Sequence, residues 1–159
     1  MKTIDLVKLT NAATLAAKQV ASLLNVSLNN VYIGGSLALV LQEVINRDVH
    51  DIDIIVKTTS ISTHSAILSA HNALRGTVAS YNPSCEKYSY IVGTIYIEGI
   101  SYPINVILDN SSKYLIRDRV DKVYLQHPTM IKYAKMSYKP QRRKDIADIE
   151  AIIEWEDQY

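Results

Sequence analysis

Residues 33–56 read IGGSLALVLQEVINRDVHDIDIIV, and the fold turns on how this stretch is parsed. Val31-Tyr32-Ile33 is a short apolar run that ends in Gly34 and Gly35. Residues 36–46 (SLALVLQEVIN) then predict a mostly buried helix with Ser36 as its N-cap. Residues 51–57 (DIDIIVK) predict a β-branched strand. Alternation puts Ile52, Ile54 and Val56 on one face and Asp51, Asp53 and Ile55 on the other. Two carboxylates side by side on one strand face repel. A bound divalent cation would relieve that repulsion. The plainer alternative is that Asp51 ends the strand and Asp53 points to water.

The flanks supply the remaining elements. Residues 3–24 carry Leu6, Leu9, Ala13, Ala16 and Val20 at helical spacing, with Thr3 as a candidate cap. A further helix is expected over 60–74, capped by Ser62 or Thr63, followed by a loop from Gly76 to Lys87 that includes Pro83. Residues 88–98 and 101–108 predict an antiparallel hairpin turning at Gly99. A short segment at 120–125, a helix opening at Pro128 and a last helix over about 141–156 complete the chain. This order predicts an α/β (α+β) fold: a small mixed sheet of 31–34, 51–57, 88–98 and 101–108 flanked by helices, with C-terminal helices over one edge.

Composition excludes several classes. With 48% hydrophobic and 21% charged residues, the 159-residue chain is an ordinary globular sequence. The net charge of +1 gives no global field for nucleic acid. Charge is local instead: Lys132, Lys135, Lys139, Arg142, Arg143 and Lys144 fall together with no acid among them. Such a cluster either faces phosphate or is a solvated helix face. One cysteine, Cys85, permits no internal disulfide, and His50, His64, His71 and His127 lack metal-ligand spacing. Residues 1–24 do not read as a signal peptide, and no window has the length of a membrane span, so a cytoplasmic protein without a membrane partner is expected. Eleven Tyr and no Phe suggest polar-tipped aromatics at core edges.

Gly34-Gly35-Ser36 before a helix is by itself either a tight turn with a cap or an anion-binding turn. Joined to Asp51-x-Asp53 on the next strand, it resembles the signature of the nucleotidyltransferase superfamily related to DNA polymerase β. A second segment, Arg142-x-Lys144-Asp145-x-x-Asp148, is similar to the one that closes small bacterial or phage nucleotidyltransferase-like proteins, relatives of the AbiEii-type toxins.

The resemblance implies a minimal nucleotidyltransferase-like domain, with a core over 1–110 and a helical extension over 111–159 packed on it as one compact domain. It implies that Gly34, Gly35 and Ser36 hold a nucleoside triphosphate. Asp51 and Asp53 would hold Mg²⁺ or Mn²⁺, and Arg143 or Lys144 would contact phosphate. Asp145, Asp148 and Ile149 would dock the last helix, although ion pairing on a helix surface explains those charges equally well. The implied reaction is metal-dependent transfer of a nucleoside monophosphate to a hydroxyl on RNA, protein or a small molecule. The alternative is a weakened relative that binds nucleotide or a partner in a toxin–antitoxin or phage-defence setting.

The chain departs from this pattern at one position. The strand that should add a third carboxylate reads PINVILD over 103–109 and aligns Asn105 there, so the catalytic set is Asp51, Asp53 and Asn105. An amide offers a metal a neutral oxygen and cannot act as a base. Asp109 shares that face but lies about 13 Å further along; Glu98 on the partner strand is the other candidate.

Overall fold

The computed structural model describes residues 3–57, 69–70, 72–74, 78–82, 87–109, 116–120, 122–138 and 140–158. Helix α1 (Thr3–Leu24) fills the span its spacing predicts, Thr3 lying inside it, with Leu9, Ala13, Ala16, Ala17 and Val20 on its buried stripe. It ends in a left-handed residue, Asn25 at φ 53°. The Val26 N–H closes back on the Ala21 carbonyl at 3.0 Å and the Asn25 N–H on that of Ser22 at 3.2 Å. Asn tolerates this conformation better than most side chains do, so the stop is local chemistry.

Strand β1 (Val31–Gly34) runs directly into α2 (Gly35–Leu41), and β2 (Ile52–Lys57) returns antiparallel to β1. Then come β3 (Val78–Asn82), β4 (Lys87–Ile97), β5 (Ile100–Asp109), β6 (Ile116–Val120) and β7 (Val123–Gln126). Among the described residues they form one seven-stranded sheet in the order β3-β4-β5-β2-β1-β7-β6. The pairs β2–β5 and β1–β7 are parallel and the others antiparallel, so the sheet is mixed. Helices α3 (Pro128–Met136) and α4 (Arg143–Gln158) follow. The fold is thus a mixed sheet flanked by helices.

Period-two alternation divides the central strands. Val31, Ile33, Ile52, Ile54, Val56, Ile104, Val106, Leu108, Val123 and Leu125 form one buried cluster with α1. Asp53, Asn105, Tyr32 and Tyr124 stand on the opposite face; the two tyrosine rings lie 6.0 Å apart. A second, smaller core joins Ala38 and Leu39 of α2 to Ile131 of α3 and Ile152 of α4. Thr129 and Lys132 of α3 both donate to Glu156 of α4, each at 2.7 Å. The C-terminal helices therefore pack on α2, between the two central strands, whereas an edge position was expected; the edges are β3 and β6.

Other expectations need correction. The loop expected over 76–87 contains β3, and the 120–125 segment is part of the β6–β7 hairpin, so the region after 110 is not purely helical. Of the three extra strands, β3 and β6 are edges and β7 lies between β1 and β6; IRDRV of β6 carries alternating charge of the kind that discourages edge-to-edge pairing and hides a strand in the sequence. Helix α2 stops at Leu41, five residues short of Asn46. It closes with Glu43 left-handed at φ 61°, with N–H bonds from Glu43 to Val40 and from Val44 to Leu39. No Gly or Asn marks this stop, which makes it illegible. Of the helix expected over 60–74, residues 69–70 and 72–74 are helical. Ser62, Thr63, His64, His71, Pro83, Cys85 and Lys139 lie outside the described residues.

Candidate functional site

The antiparallel β1–β2 register sets Gly34 opposite Asp53, and the parallel β2–β5 register sets Asp53 opposite Asn105. Asp51 sits one residue before β2 begins. The sheet therefore brings together Gly34, Gly35, Ser36, Asp51, Asp53 and Asn105. The Asn105 amide joins the two carboxylates, its Nδ2 donating to Asp51 Oδ2 at 3.2 Å and to Asp53 Oδ1 at 3.1 Å.

Gly35 is required where it stands. Its φ is +60°, and a Cβ built there would run into the Asp53 carboxylate. The bare backbone lets the turn from β1 into α2 pass directly over that group. At Gly34 a Cβ would meet Gln126 Oε1 at 2.5 Å and Ile55 Cγ1 at 2.7 Å, so this glycine serves close strand packing.

Ser36 is not the helix N-cap. Gly34 occupies that position, without a side-chain bond, and the helix has already begun at Gly35. The Ser36 hydroxyl instead accepts from Arg47 NH2 at 2.8 Å.

The carboxylate pair is electrostatically strained. Burial, and then the charge of Asp51, push Asp53 up to about 6, against the opposing pull of the Asn105 hydrogen bond, Lys135 and Lys144. Tyr138, 42% exposed as a residue, has its phenol pushed up to about 12 by desolvation and then by Asp53 and Asp145. Lys144 is exposed on α4 and exerts a lowering pull on Asp53, while Arg143 is exposed at the first residue of α4.

Behind the site lies a network that the sequence reading did not assemble. Asp145 and Asp148 on α4 are 0% and 2% exposed. Arg47 grips Asp148 side-on, Nε to Oδ1 at 3.1 Å and NH2 to Oδ2 at 2.6 Å. Lys135 Nζ reaches Asp145 at 3.2 Å and Asp148 at 3.1 Å. Arg142 donates to Asp145 through Nε at 2.9 Å and its backbone N–H at 3.1 Å. Burial raises the Asp145 carboxyl, but the Arg142 and Lys135 bonds outweigh it and hold the group down at about 2. The two acids dock α4 as the resemblance implied, with Ile149 half-buried beside them. The signal for their partners was present: two acids on the buried stripe of a helix demand buried cations.

The donor set fits one hard cation. Two carboxylate oxygens converge on a single point, occupied by the Asn105 amide nitrogen, and their mutual repulsion is only partly relieved there. Rotating that amide would turn its carbonyl oxygen toward the same point. Among the described residues no further carboxylate stands by to hold a second cation. Glu98, in the β4–β5 turn, lies 3.9 Å from Lys8, and Asp109 pairs in register with Lys57, four residues beyond Asn105. Among the described residues no group of three or more His, Cys, Asp or Glu converges, and no helix is long and apolar enough to cross a membrane.

No sequence-family profile and no curated protein matches the chain. Among solved structures it is similar to one titled "Crystal structure of JHP933 from Helicobacter pylori", at 12% identity and a TM-score of 0.42, over 85% of this chain. The chain spans 63% of the length of that protein, and nothing about the site rests on the likeness.

Proposed function

We propose that this chain binds a nucleoside triphosphate together with one Mg²⁺ or Mn²⁺, in a nucleotidyltransferase-like site whose transfer activity is attenuated by Asn105. The observation that carries this reading is the single register row Gly34–Asp53–Asn105, with Asp51 sharing the Asn105 amide. Asp51 and Asp53 would hold the ion, which when bound supplies neutralisation of phosphate charge. Gly35 lets phosphate approach the backbone, Ser36 offers a hydroxyl, and Lys144 adds a cation at the rim. Asn105 cannot take the proton of an attacking hydroxyl, so the acceptor would enter without a base in the position where a third carboxylate would stand. The missing ligand and base together cost several kcal/mol of transition-state stabilisation, or about three orders of magnitude in rate. The acceptor class, were transfer to occur, is a hydroxyl on RNA, protein or a small molecule. The setting we propose is cytoplasmic, where Mg²⁺ and nucleoside triphosphates are abundant.

Calorimetric titration with ATP, GTP, CTP and UTP, with Mg²⁺ and with chelator, tests the binding. Micromolar binding of at least one triphosphate that chelator abolishes is the expected result; no binding of any of the four would sink the reading. Transfer is followed with α-labelled triphosphate in wild type and Asn105→Asp. Brisk wild-type transfer, unchanged by Asn105→Asp, would show that the attenuation is misassigned.

A further inference from the structure

We infer that Arg47 is a positioning residue for this site: anchored by Asp148 of α4, it fixes the Ser36 hydroxyl as a donor toward bound phosphate. The inference rests on the nucleotide-binding reading above. Arg47 lies in the irregular segment between α2 and β2, and its guanidinium is bonded through Nε, NH1 and NH2. Beyond the two bonds to Asp148, NH1 donates to the Asp48 carbonyl at 3.1 Å. The same NH2 group that meets Asp148 at 2.6 Å also meets Ser36 Oγ at 2.8 Å. A planar fork locked at this many points has little freedom to choose another partner.

The consequence for Ser36 follows from its inventory of one proton and two lone pairs. Arg47, which has only donors, occupies a lone pair. The Ser36 proton must therefore point away from Arg47. The residue before it is Gly35, whose backbone passes over the Asp53 carboxylate, so Ser36 leads directly out of the turn that covers the carboxylate pair. Docking of α4 would need only the Arg47–Asp148 pair; the added bond to Ser36 carries that anchorage into the candidate site.

The test measures affinity for each nucleoside triphosphate and its monophosphate, with Mg²⁺, in the full chain. The proteins are wild type, Arg47→Gln, Arg47→Lys, Ser36→Ala and the Arg47→Gln/Ser36→Ala double variant. Arg47→Gln and Ser36→Ala are each expected to weaken triphosphate binding about tenfold, and the double variant no further, because both remove the same oriented donor. Monophosphate affinity should stay within about twofold, and Arg47→Lys, which keeps the charge but cannot span both partners, should not rescue. Triphosphate affinity within twofold of wild type in Arg47→Gln would overturn the inference and make Arg47 a docking strut only. So would an equal fall in mono- and triphosphate binding, or additive losses in the double variant. Should Arg47→Gln fail to fold, Asp148→Asn carries the test: a similar selective loss supports the inference and unchanged affinity overturns it. If wild type binds no triphosphate at all, the functional reading falls and this inference with it.

Discussion

Replacing Asp53 with Asn should make the metal-free protein more stable at neutral pH, although it deletes a central residue of the site. Asp53 is displaced from 3.8 to about 6 by burial and by Asp51. Its folded-state pKa is therefore raised, so the folded protein holds a proton that the unfolded chain has released between those values. The favourable contribution is fully present below about pH 4 and is lost as pH rises through about 6. At about 1.36 kcal/mol per pH unit, the displacement corresponds to about 3 kcal/mol of destabilisation at pH 8. Asn has nearly the shape of Asp, keeps an oxygen for the Asn105 donor and carries no charge. Urea unfolding in chelator is the assay, run at pH 4.5, 6 and 8. Asp53→Asn should exceed wild type by about 3 kcal/mol at pH 8, the gap closing as pH falls toward 4. Excess Mg²⁺ should then raise wild-type stability and leave the variant unchanged, since only a native state that binds the ion gains from it. A variant no more stable than wild type at pH 8, or a gap that widens on acidification, would refute the reasoning.

Three further outcomes follow from the same geometry. Gly35→Ala combines a positive φ with a Cβ on the Asp53 carboxylate; it should cost at least about 2 kcal/mol in urea unfolding and abolish Mg²⁺ binding in calorimetry. Lys135→Met leaves Asp145 and Asp148 buried with one cation fewer; thermal or urea unfolding should register a loss of about 3–5 kcal/mol. Asn105→Asp adds a third carboxylate and removes the amide donor from the other two; it should lower metal-free stability by about 1–3 kcal/mol while tightening Mg²⁺ binding in the same titration.

The centre of this molecule was legible because a strict physical period governs it. Alternation over 51–57 assigned Ile52, Ile54 and Val56 to the core, and the family resemblance aligned Asn105 with the third carboxylate, a position that the β2–β5 register sets opposite Asp53. The glycine pair could be read because few other residues permit the left-handed turn at Gly35 or the close strand contact at Gly34. The terminators and partners were hidden for equally physical reasons. Helix α2 stops at Leu41 and turns away through Glu43, a residue with no preference for the left-handed conformation it adopts, so five extra residues were read as helical. Arg47 lies just past them in irregular backbone, where an isolated Arg carries no periodic signal. Lys135 belongs to a run of basic residues that looks like a solvated helix face; only Asp145 and Asp148, on the next helix, explain why it is buried. Strands β3 and β6 are edges, where one partner and a charged or polar sequence leave little pattern to detect.

The position of β1 has a consequence for how this chain is made. Its parallel neighbour is β7, with Tyr32 beside Tyr124, and the segment after α2 is fastened to α4 by Arg47 and Asp148, 101 residues apart. On a ribosome adding about 5–20 residues per second, several to about 20 seconds separate the synthesis of those partners. During that interval β1 can pair with β2 but shows an open edge, and Ser36 and Arg47 stand ready without the helix that locks them. Contacts so distant in sequence also slow spontaneous folding. The glycine turn and the carboxylate strand are synthesised about 100 residues ahead of the α4 residues that fasten them, yet the site they form is completed only when that helix arrives.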